Sequence, residues 1–256
     1  MNKFGYVYVA SCNQAYYKAA VDSAISLRDN YPKAQITLFT HEKFIQDKDR
    51  KFFDSVQTGI PINKRAKMWG MARSPYEKTL YLDCDTEIRS DKIKDVFDIL
   101  EDNDIMFTKI IPHVSADKVI DANNNLEYHG GIILYNNRPL TNQLVHDWYS
   151  YYQHQVKSDW PNSIFSEFNP KMQQWDQFTM WYLLHQVKKY DTIKHKMFPD
   201  GGTSYNYIFL LEDELNPRNA PYKDLEQIIY HYTIPKVRQQ NALVLKAESG
   251  SSEDFN

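Results

Sequence analysis

The sequence predicts an α/β fold, in which a central sheet is flanked by helices. The chain opens with a strand, a helix and a second strand, and the alternation continues through the first hundred or so residues. Two strands joined through a helix form a parallel pair with a right-handed crossover. Polar loops follow two of the predicted strands directly, at residues 11–13 and 83–85. Because ligands bind beyond the carboxyl ends of strands in open α/β sheets, we expect a site at this rim.

The first half of the chain contains the clearest periodicities. Small and apolar side chains recur at helical spacing between residues 14 and 30, and Tyr31-Pro32 ends that helix. The predicted elements are strand Phe4–Ser11, helix Gln14–Asn30, strand Gln35–Thr40, a polar helical segment Glu42–Asp54, strand Ser55–Gly59, helix Asn63–Arg73 and strand Thr79–Asp83.

The second half is less regular, and its most distinctive feature is a double glycine leading into an apolar strand. A short disordered tail is predicted at residues 247–256, because it is polar and lacks a hydrophobic pattern. The predicted elements are strand Asp104–Ile111, a turn at Asn123–Asn125, strand Tyr128–Asn136, helices Pro139–Val156 and Met172–Lys189, a turn at Asp200–Gly202 and strand Gln227–Tyr232.

The composition excludes several classes of protein. A chain of 256 residues with a formal net charge of −3 has room for a large core and no basic excess, so nucleic-acid binding is not expected. Its two cysteines, Cys12 and Cys84, fit neither a disulfide framework nor a zinc cluster. No window is apolar enough for a membrane span, and the N-terminal run lacks a signal-peptide pattern. We therefore expect a soluble, cytoplasmic protein.

The segment around which the chain is organised is the acidic motif Asp83-Cys84-Asp85 at the end of an apolar strand. In an extended chain, residues i and i+2 point to the same face, so Asp83 and Asp85 can converge on one point. Two neighbouring carboxylates repel each other unless a cation lies between them or one is protonated. Oxygen ligands of this kind suit Mg²⁺, Mn²⁺ or Ca²⁺. A turn or a solvated loop end is the alternative interpretation.

Three further features each have a structural and a functional interpretation. The pair Gly130-Gly131 is typical either of a β-bulge or of close backbone approach to a ligand. Asp176 stands where a polar residue commonly caps a helix. His231, alone in a short strand, is by itself more typical of a core or surface histidine than of a ligand.

Taken in order, these segments resemble the GT-A-fold glycosyltransferases, most closely the family 8 group that includes glycogenin and bacterial galactosyltransferases. The opening loop with Ala10, Ser11, Asn13 and Tyr16 resembles the family's uridine-binding loop. The resemblance assigns Lys67 to the nucleotide sugar and Asp83-Cys84-Asp85 to the metal motif, with Cys84 offering its backbone to the ribose.

The later motifs extend the resemblance to about residue 236. His129-Gly130-Gly131 resembles the segment that lines the donor-sugar pocket, although the family usually has Asn where His129 stands. Asp176-Gln177 resembles the pair near the reacting carbon, which makes both candidate catalytic residues. His231 then corresponds to the third metal ligand. Lys236, displaced by one position, corresponds to a lysine that reaches the diphosphate.

The resemblance implies a single catalytic domain over residues 1–246, with a mixed, mostly parallel sheet. Residues 1–111 form the nucleotide-binding half and residues 112–246 the donor-sugar and acceptor half. It implies a UDP-hexose donor, UDP-glucose or UDP-galactose, a glycan or glycoconjugate acceptor, and Mn²⁺ as cofactor, with Mg²⁺ as the other candidate. Retention of the anomeric configuration is implied, whereas inversion would need a base such as Asp176 or Glu127.

Three rival functions share some of these features. The run Leu80–Asp85 is similar to the first motif of haloacid-dehalogenase-like phosphatases, but Glu87 stands where those enzymes have Thr or Val. A sugar-1-phosphate nucleotidyltransferase needs a glycine-rich N-terminal loop, and Gly5 is the only glycine before Gly59. A non-catalytic protein that binds a nucleotide sugar is the third alternative.

Overall fold

The computed structural model describes residues 2–110, 118–209 and 225–232 of the chain. In these ranges the strands are β1 (Asn2–Ala10), β2 (Ile36–Thr40), β3 (Ser55–Gln57), β4 (Tyr76–Leu82), β5 (Thr86–Ile88), β6 (Ile105–Lys109), β7 (Tyr128–Asn136), β8 (His195–Met197), β9 (Tyr207–Phe209) and β10 (Ile229–Tyr232). The α-helices are α1 (Gln14–Asn30), α2 (Lys67–Met71), α3 (Pro139–Lys157) and α4 (Asp176–Gln186). Segments of 3₁₀-helix occupy Glu42–Phe44, Asp47–Phe52, Asp91–Leu100, Trp160–Asn162, Pro170–Gln174, Lys188–Tyr190 and Pro199–Gly202.

The main sheet has seven strands in the order β3-β2-β1-β4-β7-β6-β8. Strand β7 runs antiparallel to both of its neighbours, and the other strands run parallel to one another. The predicted mixed, mostly parallel sheet is therefore confirmed. The carboxyl ends of β1 and β4 lie side by side, since Val7 pairs with Tyr81 near the ends of these strands.

Hydrophobic clusters cover both faces of this sheet. Side chains of β1 alternate between them: Val7 and Val9 pack with residues of α3 and α4, whereas Tyr6 and Tyr8 pack with residues of α1. This alternation follows from the two-residue repeat of a strand. The sheet is thus buried on both faces, which leaves its edges and strand ends to carry polar groups.

A second sheet of three strands, in the order β5-β10-β9, lies just beyond the end of β4. Strand β10 runs antiparallel to β5, with His231 opposite Thr86, and the Tyr232 N–H donates to the Asp85 carbonyl at 2.8 Å. This pairing holds a residue from the end of the described chain beside the acidic motif.

Several predicted elements differ in extent from the observed ones. The polar segment 42–54 is two 3₁₀ segments, and the helix predicted to begin at Asn63 begins at Lys67, after turns in which the Asn63 side chain accepts from the Arg65 N–H at 2.8 Å. The helix predicted from Met172 begins at Asp176, because a 3₁₀ turn starting at Pro170 precedes it. The predicted tail at 247–256 lies outside the described residues.

No helix in the described ranges combines the length and the apolar character that crossing a membrane requires.

Candidate functional site

A cleft with a volume of about 390 Å³ opens at the carboxyl ends of β1 and β4. Its basic side carries Lys64, Arg65 and Lys67, which lie just before α2 or at its start. Its acidic side carries Asp83 and Asp85, which follow β4. Opposite charges thus face each other across one cleft, at the rim where the sheet topology predicts a ligand.

Asp83 and Asp85, which line this cleft, come together with His231 of β10. One ligand atom from each lies within 4.8 Å of the others, and His231 Nε2 is 3.2 Å from Asp85 Oδ1 and 4.0 Å from Asp83 Oδ2. Two atoms bound to one divalent ion at about 2.0–2.6 Å lie at most about 5 Å apart, so the spacing fits a shared ion. Two carboxylates and one imidazole are side chains that bind divalent cations.

Asp83 is held in place by its own strand and by β7. The hydroxyl of Tyr81, two residues earlier on the same face of β4, donates to Asp83 Oδ1 at 2.5 Å. The Asp83 N–H donates to the Gly131 carbonyl at 2.7 Å. Burial acts to raise the pKa of the Asp83 carboxyl, but Lys67 and His231 outweigh it, and the net pKa is lowered. The group is therefore an anion that can bind a cation.

His231 is buried and has a partner on each ring nitrogen. Its Nδ1 is 2.8 Å from Asn206 Oδ1, and its Nε2 faces Asp85. Burial acts to lower the pKa of His231, but the neighbouring Asp85 and Asp83 carboxylates outweigh burial and raise it. A second metal-ligand cluster of this type is not found elsewhere in the ranges that the structure describes.

Asp176 lies fully buried beside two cations. Its Oδ2 is 3.1 Å from Lys67 Nζ, and its Oδ1 is 3.2 Å from Arg65 Nε. Burial acts to raise the pKa of Asp176, but Lys67 and Arg65 outweigh it, so the pKa is lowered. Its side chain does not cap α4. The structural interpretation of this residue as a helix cap is therefore wrong.

The oxygens of Asp176 and Gln177 differ in their partners, since both Asp176 oxygens lie beside cations whereas Gln177 Oε1 has none among the described residues. Within the described part of the chain, neither carboxylate oxygen of Asp176 has a hydrogen bond of good geometry, and Gln177 Oε1 has none either. Buried acceptors without donors are costly in free energy. A ligand that brings hydroxyl groups to this point would satisfy them.

The double glycine lies at an irregularity of the β6–β7 ladder, which agrees with the bulge interpretation, and side chains of the site approach it closely. The register between β6 and β7 shifts here, with Phe107 opposite Ile133 but Thr108 opposite His129, so the ladder is irregular. A Cβ on Gly131 would lie 2.5 Å from His231 Cε1 and 2.8 Å from Asp83 Oδ2. Because Gly131 has no side chain, Asp83 and His231 can occupy the space next to its Cα.

Gly130 lies against the other part of the site. A Cβ on this residue would lie 2.8 Å from Lys67 Nζ, whose ammonium group donates to the Gly130 carbonyl at 2.8 Å. The adjacent His129 is neutral, because burial first and the neighbouring His231 second lower its pKa to about 3.

The opening loop contributes some of its predicted residues to the cleft. Ser11 and Tyr16 line it, and Ser11 Oγ donates to the Pro61 carbonyl at 2.7 Å. Asn13 caps α1, since its Oδ1 accepts from the Tyr16 N–H at 3.2 Å. Ala10 is fully buried, and its carbonyl accepts from Thr40 Oγ1 at 2.9 Å. The Ala10 carbonyl and the Asn13 side chain therefore have structural partners.

Cys84 lines the cleft but is buried. Its thiol donates to the Val9 carbonyl at 3.4 Å, and burial raises the pKa of this thiol well above its ordinary value. It is therefore not a reactive nucleophile. Lys236 lies outside the described residues.

Two residues of the site were not predicted from the sequence. Arg65 stands two positions before Lys67, and this basic pair next to a predicted helix start was the available signal. Asn206 lies in a turn and had no local signal, because its partners are distant in the chain.

No protein-family model matches the sequence, and no curated protein matches it significantly. Solved structures do resemble it. The glycosyltransferase GlyE of Streptococcus pneumoniae TIGR4 is 14% identical, with 91% of this chain and 55% of GlyE covered and a TM-score of 0.55. This chain thus spans about half the length of GlyE.

Two further neighbours match over nearly their whole length. Mouse xyloside xylosyltransferase 1 is 12% identical, with 91% of this chain and 98% of that chain covered and a TM-score of 0.54. The galactosyltransferase LgtC, solved with donor and acceptor sugar analogues, is 15% identical, with 98% and 97% covered and a TM-score of 0.51. Because these three proteins are only 12–15% identical to this chain, the similarity shows a shared fold and nothing further. The chain has the GT-A fold of these glycosyltransferases.

Proposed function

We propose that this chain is a metal-dependent glycosyltransferase that transfers a hexose from a nucleotide diphosphate sugar to a hydroxyl group of a glycan or glycoconjugate. UDP-glucose and UDP-galactose are the proposed donors, and the reaction retains the anomeric configuration. The observation that carries the proposal is the convergence of Asp83, Asp85 and His231, within 4.8 Å, at the edge of a cleft that also contains Lys67. Membership of family 8 and a cytoplasmic location are part of the proposal and are supported by the sequence alone.

The charges of the cleft suit a diphosphate leaving group. Asp83, Asp85 and His231 would hold a divalent cation, Mn²⁺ or Mg²⁺, whose charge would offset the negative charge that develops as the sugar–oxygen bond breaks. Lys67 adds a fixed positive charge, which its hydrogen bond to the Gly130 carbonyl orients. Ser11 and Tyr16 line the end of the cleft that we assign to the nucleoside.

The donor sugar would bind next to Asp176 and Gln177. Gln177 Oε1 has no hydrogen-bond donor among the described residues, and sugar hydroxyl groups are donors of the required kind. Glycine at position 130 leaves room for the sugar beside these two residues, because the Cβ of any other residue would lie 3.5 Å from Asp176 Oδ2 and from Gln177 Cγ.

The surroundings of the two candidate bases favour retention. Inversion needs a carboxylate that removes a proton from the acceptor. Asp176 is fully buried and held between Arg65 and Lys67, which makes it a weak base. Glu127 is half-exposed and pairs with Lys109 at 3.3 Å. Neither carboxylate is arranged as such a base.

A donor-binding experiment tests the function. The protein would be heated with UDP-glucose, UDP-galactose, UDP-glucuronate or GDP-mannose, each with Mn²⁺, with Mg²⁺ or with EDTA. We expect one UDP-hexose to raise the melting temperature only when the metal is present, as mass action requires. Failure of every nucleotide sugar to stabilise the protein would overturn the proposal.

Hydrolysis without acceptor separates catalysis from binding alone. A retaining transferase should slowly release the sugar from its α-linked donor as the α-anomer, which ¹H NMR detects before mutarotation. Release of the β-anomer would contradict retention. Stabilisation of the protein by a nucleotide sugar without any hydrolysis of that sugar would favour the non-catalytic alternative. Hydrolysis of p-nitrophenyl phosphate would favour the phosphatase, although the GT-A fold offers no support for that function.

A further inference from the structure

The side chain of Asn206 joins three elements behind the proposed metal site. It is buried, and its amide lies 2.8 Å from His231 Nδ1 in β10, 2.8 Å from Thr108 Oγ1 in β6 and 3.0 Å from His129 Nδ1 in β7. Asn206 is not itself one of the proposed metal ligands, which are Asp83, Asp85 and His231. Its contacts nevertheless decide how two histidines present their other ring nitrogens.

A single backbone group fixes the orientation of this amide. The Gly131 N–H points at His129 Nδ1 at 3.1 Å, and a backbone N–H can only donate. His129 Nδ1 must therefore be an acceptor, and the Asn206 atom that faces it must be the donating NH₂ group. The Thr108 hydroxyl accepts from the same NH₂ group. The Asn206 oxygen consequently faces His231 Nδ1.

This orientation gives the two histidines opposite tautomers. Because Asn206 Oδ1 accepts, His231 Nδ1 carries a proton. Nε2 lies 3.2 Å from the Asp85 carboxylate, which can only accept, so without a cation Nε2–H can donate to Asp85, and Nε2 is the nitrogen that can give up its proton to a metal ion. Because His129 Nδ1 accepts, its proton is on Nε2. A neutral imidazole nitrogen with a lone pair is what a metal ion requires.

We propose that Asn206 is a positioning residue that prepares His231 for the cation by fixing its tautomer and ring orientation, and that fixes His129 as an Nε2–H donor through the same amide. The inference rests on the proposed metal-dependent function. Thr108 anchors the arrangement, since it is fully buried and lies opposite His129 in the irregular β6–β7 ladder.

The first test reads the tautomers directly in the metal-free protein. Nitrogen-15 NMR of labelled histidines, recorded at a pH where the rings are neutral, should report Nδ1–H for His231 and Nε2–H for His129. Assignment would use the variants H231Q and H129Q, each of which removes one set of signals. An Nε2–H tautomer of His231 in the wild-type protein would overturn the inference, whether or not the protein binds a metal.

The second test measures Mn²⁺ affinity by EPR of free Mn²⁺ at saturating UDP. Asn206→Leu removes both the acceptor and the donor and should weaken binding by about 10–100-fold, the usual effect of removing a partner that orients a metal ligand. Asn206→Asp keeps the acceptor for His231 Nδ1 and should stay within about threefold of wild type. Thr108→Val removes the anchor and should give a smaller loss than Asn206→Leu.

The outcomes separate this inference from the proposed function. Mn²⁺ binding in the wild type with unchanged affinity in a folded Asn206→Leu variant would refute the role of Asn206 alone. Absence of Mn²⁺ binding in the wild type would refute the metal-dependent function, while the tautomer measurement would still decide the inference. Circular dichroism and melting temperature verify folding, and if Asn206→Leu does not fold, the Asp and Val variants and the NMR measurement decide.

Discussion

Lys67 Nζ lies 3.1 Å from Asp176 Oδ2, and both side chains are buried. Lys67 is the first residue of α2 and Asp176 the first residue of α4, so the pair connects two helices at the cleft. Arg65 Nε, 3.2 Å from Asp176 Oδ1, adds a second cation. Buried charges need compensation, so removing one member of this cluster leaves another buried charge with fewer partners.

Removing the buried ammonium group should destabilise the protein. Lys67→Met leaves the Asp176 carboxylate buried with Arg65 alone, and breaking such a pair costs about 3 kcal/mol. The change in the free energy of unfolding would be measured by urea denaturation. Lys64→Met is the matched control, because Lys64 is exposed in the same loop and should change stability by at most about 0.5 kcal/mol. Equal stabilities of the two variants would show that the pair contributes nothing.

Asp176 should also give the protein a stability that depends on pH. Its pKa in the folded chain is lowered from the ordinary value of 3.8, because Lys67 and Arg65 outweigh the opposing effect of burial. A group with a lowered folded-state pKa stabilises the fold above its unfolded pKa, and this contribution is lost as the pH falls through the folded pKa. The difference in unfolding free energy between wild type and Asp176→Asn should be constant from about pH 8 to 5 and shrink below about pH 4. A difference that grew on acidification would have the wrong sign.

Loss of either carboxylate of the acidic motif should abolish metal-dependent donor binding. Asp85→Asn removes a negative charge that lies 3.2 Å from His231 Nε2. His231→Ala removes the nitrogen ligand and should weaken donor binding less than the loss of a carboxylate does. Isothermal titration calorimetry with UDP, in the presence and absence of Mn²⁺, measures the loss of UDP affinity. Asp91→Asn, an exposed residue paired only with Lys94 at 2.7 Å among the described residues, is the control and should bind as wild type. Unchanged Mn²⁺ and UDP affinity in Asp85→Asn would remove the metal assignment.

Asp176→Asn should separate donor binding from transfer. The amide keeps one acceptor for a sugar hydroxyl group but loses the charge, so interactions that strengthen in the transition state are weakened. Contacts of this kind supply several kcal/mol in glycosyl transfer, which corresponds to a loss of turnover on the order of 10²-fold. UDP affinity should change little, because the carboxylate lies at the proposed sugar end of the cleft. Full turnover would assign Asp176 to structure alone.

The sequence predicted the parts of the fold that local patterns determine. Strand β1, helix α1 and strand β4 have clear periodicities, and their extents agree with prediction to within a few residues. Strands β5, β8 and β9 were not predicted, because each has only three residues and depends on pairing with a distant strand. Such pairing is a property of the folded chain.

The candidate site shows the same division. The acidic motif was visible because residues i and i+2 of a strand share a face, but only the pairing of β10 with β5 brings His231 to it. Asn206 could not be predicted, since its three partners come from three strands. Arg65 fell inside a predicted helix, whereas it lies in a turn directed at Asp176.

The two adjacent glycines should respond differently to the same substitution. A Cβ at position 131 would lie 2.5 Å from His231 Cε1 and 2.8 Å from Asp83 Oδ2, so Gly131→Ala must displace residues of the proposed metal site. A Cβ at position 130 would meet Lys67 Nζ at 2.8 Å, the end of a flexible side chain that can move. We expect Gly131→Ala to weaken Mn²⁺ binding by at least about tenfold, the effect of misplacing a ligand, and Gly130→Ala to change it by less than about threefold. EPR titration of Mn²⁺ measures both. Because the two variants add the same methyl group to neighbouring residues of β7, equal losses would mean that distortion of the strand, and not contact with the ligands, controls the metal site.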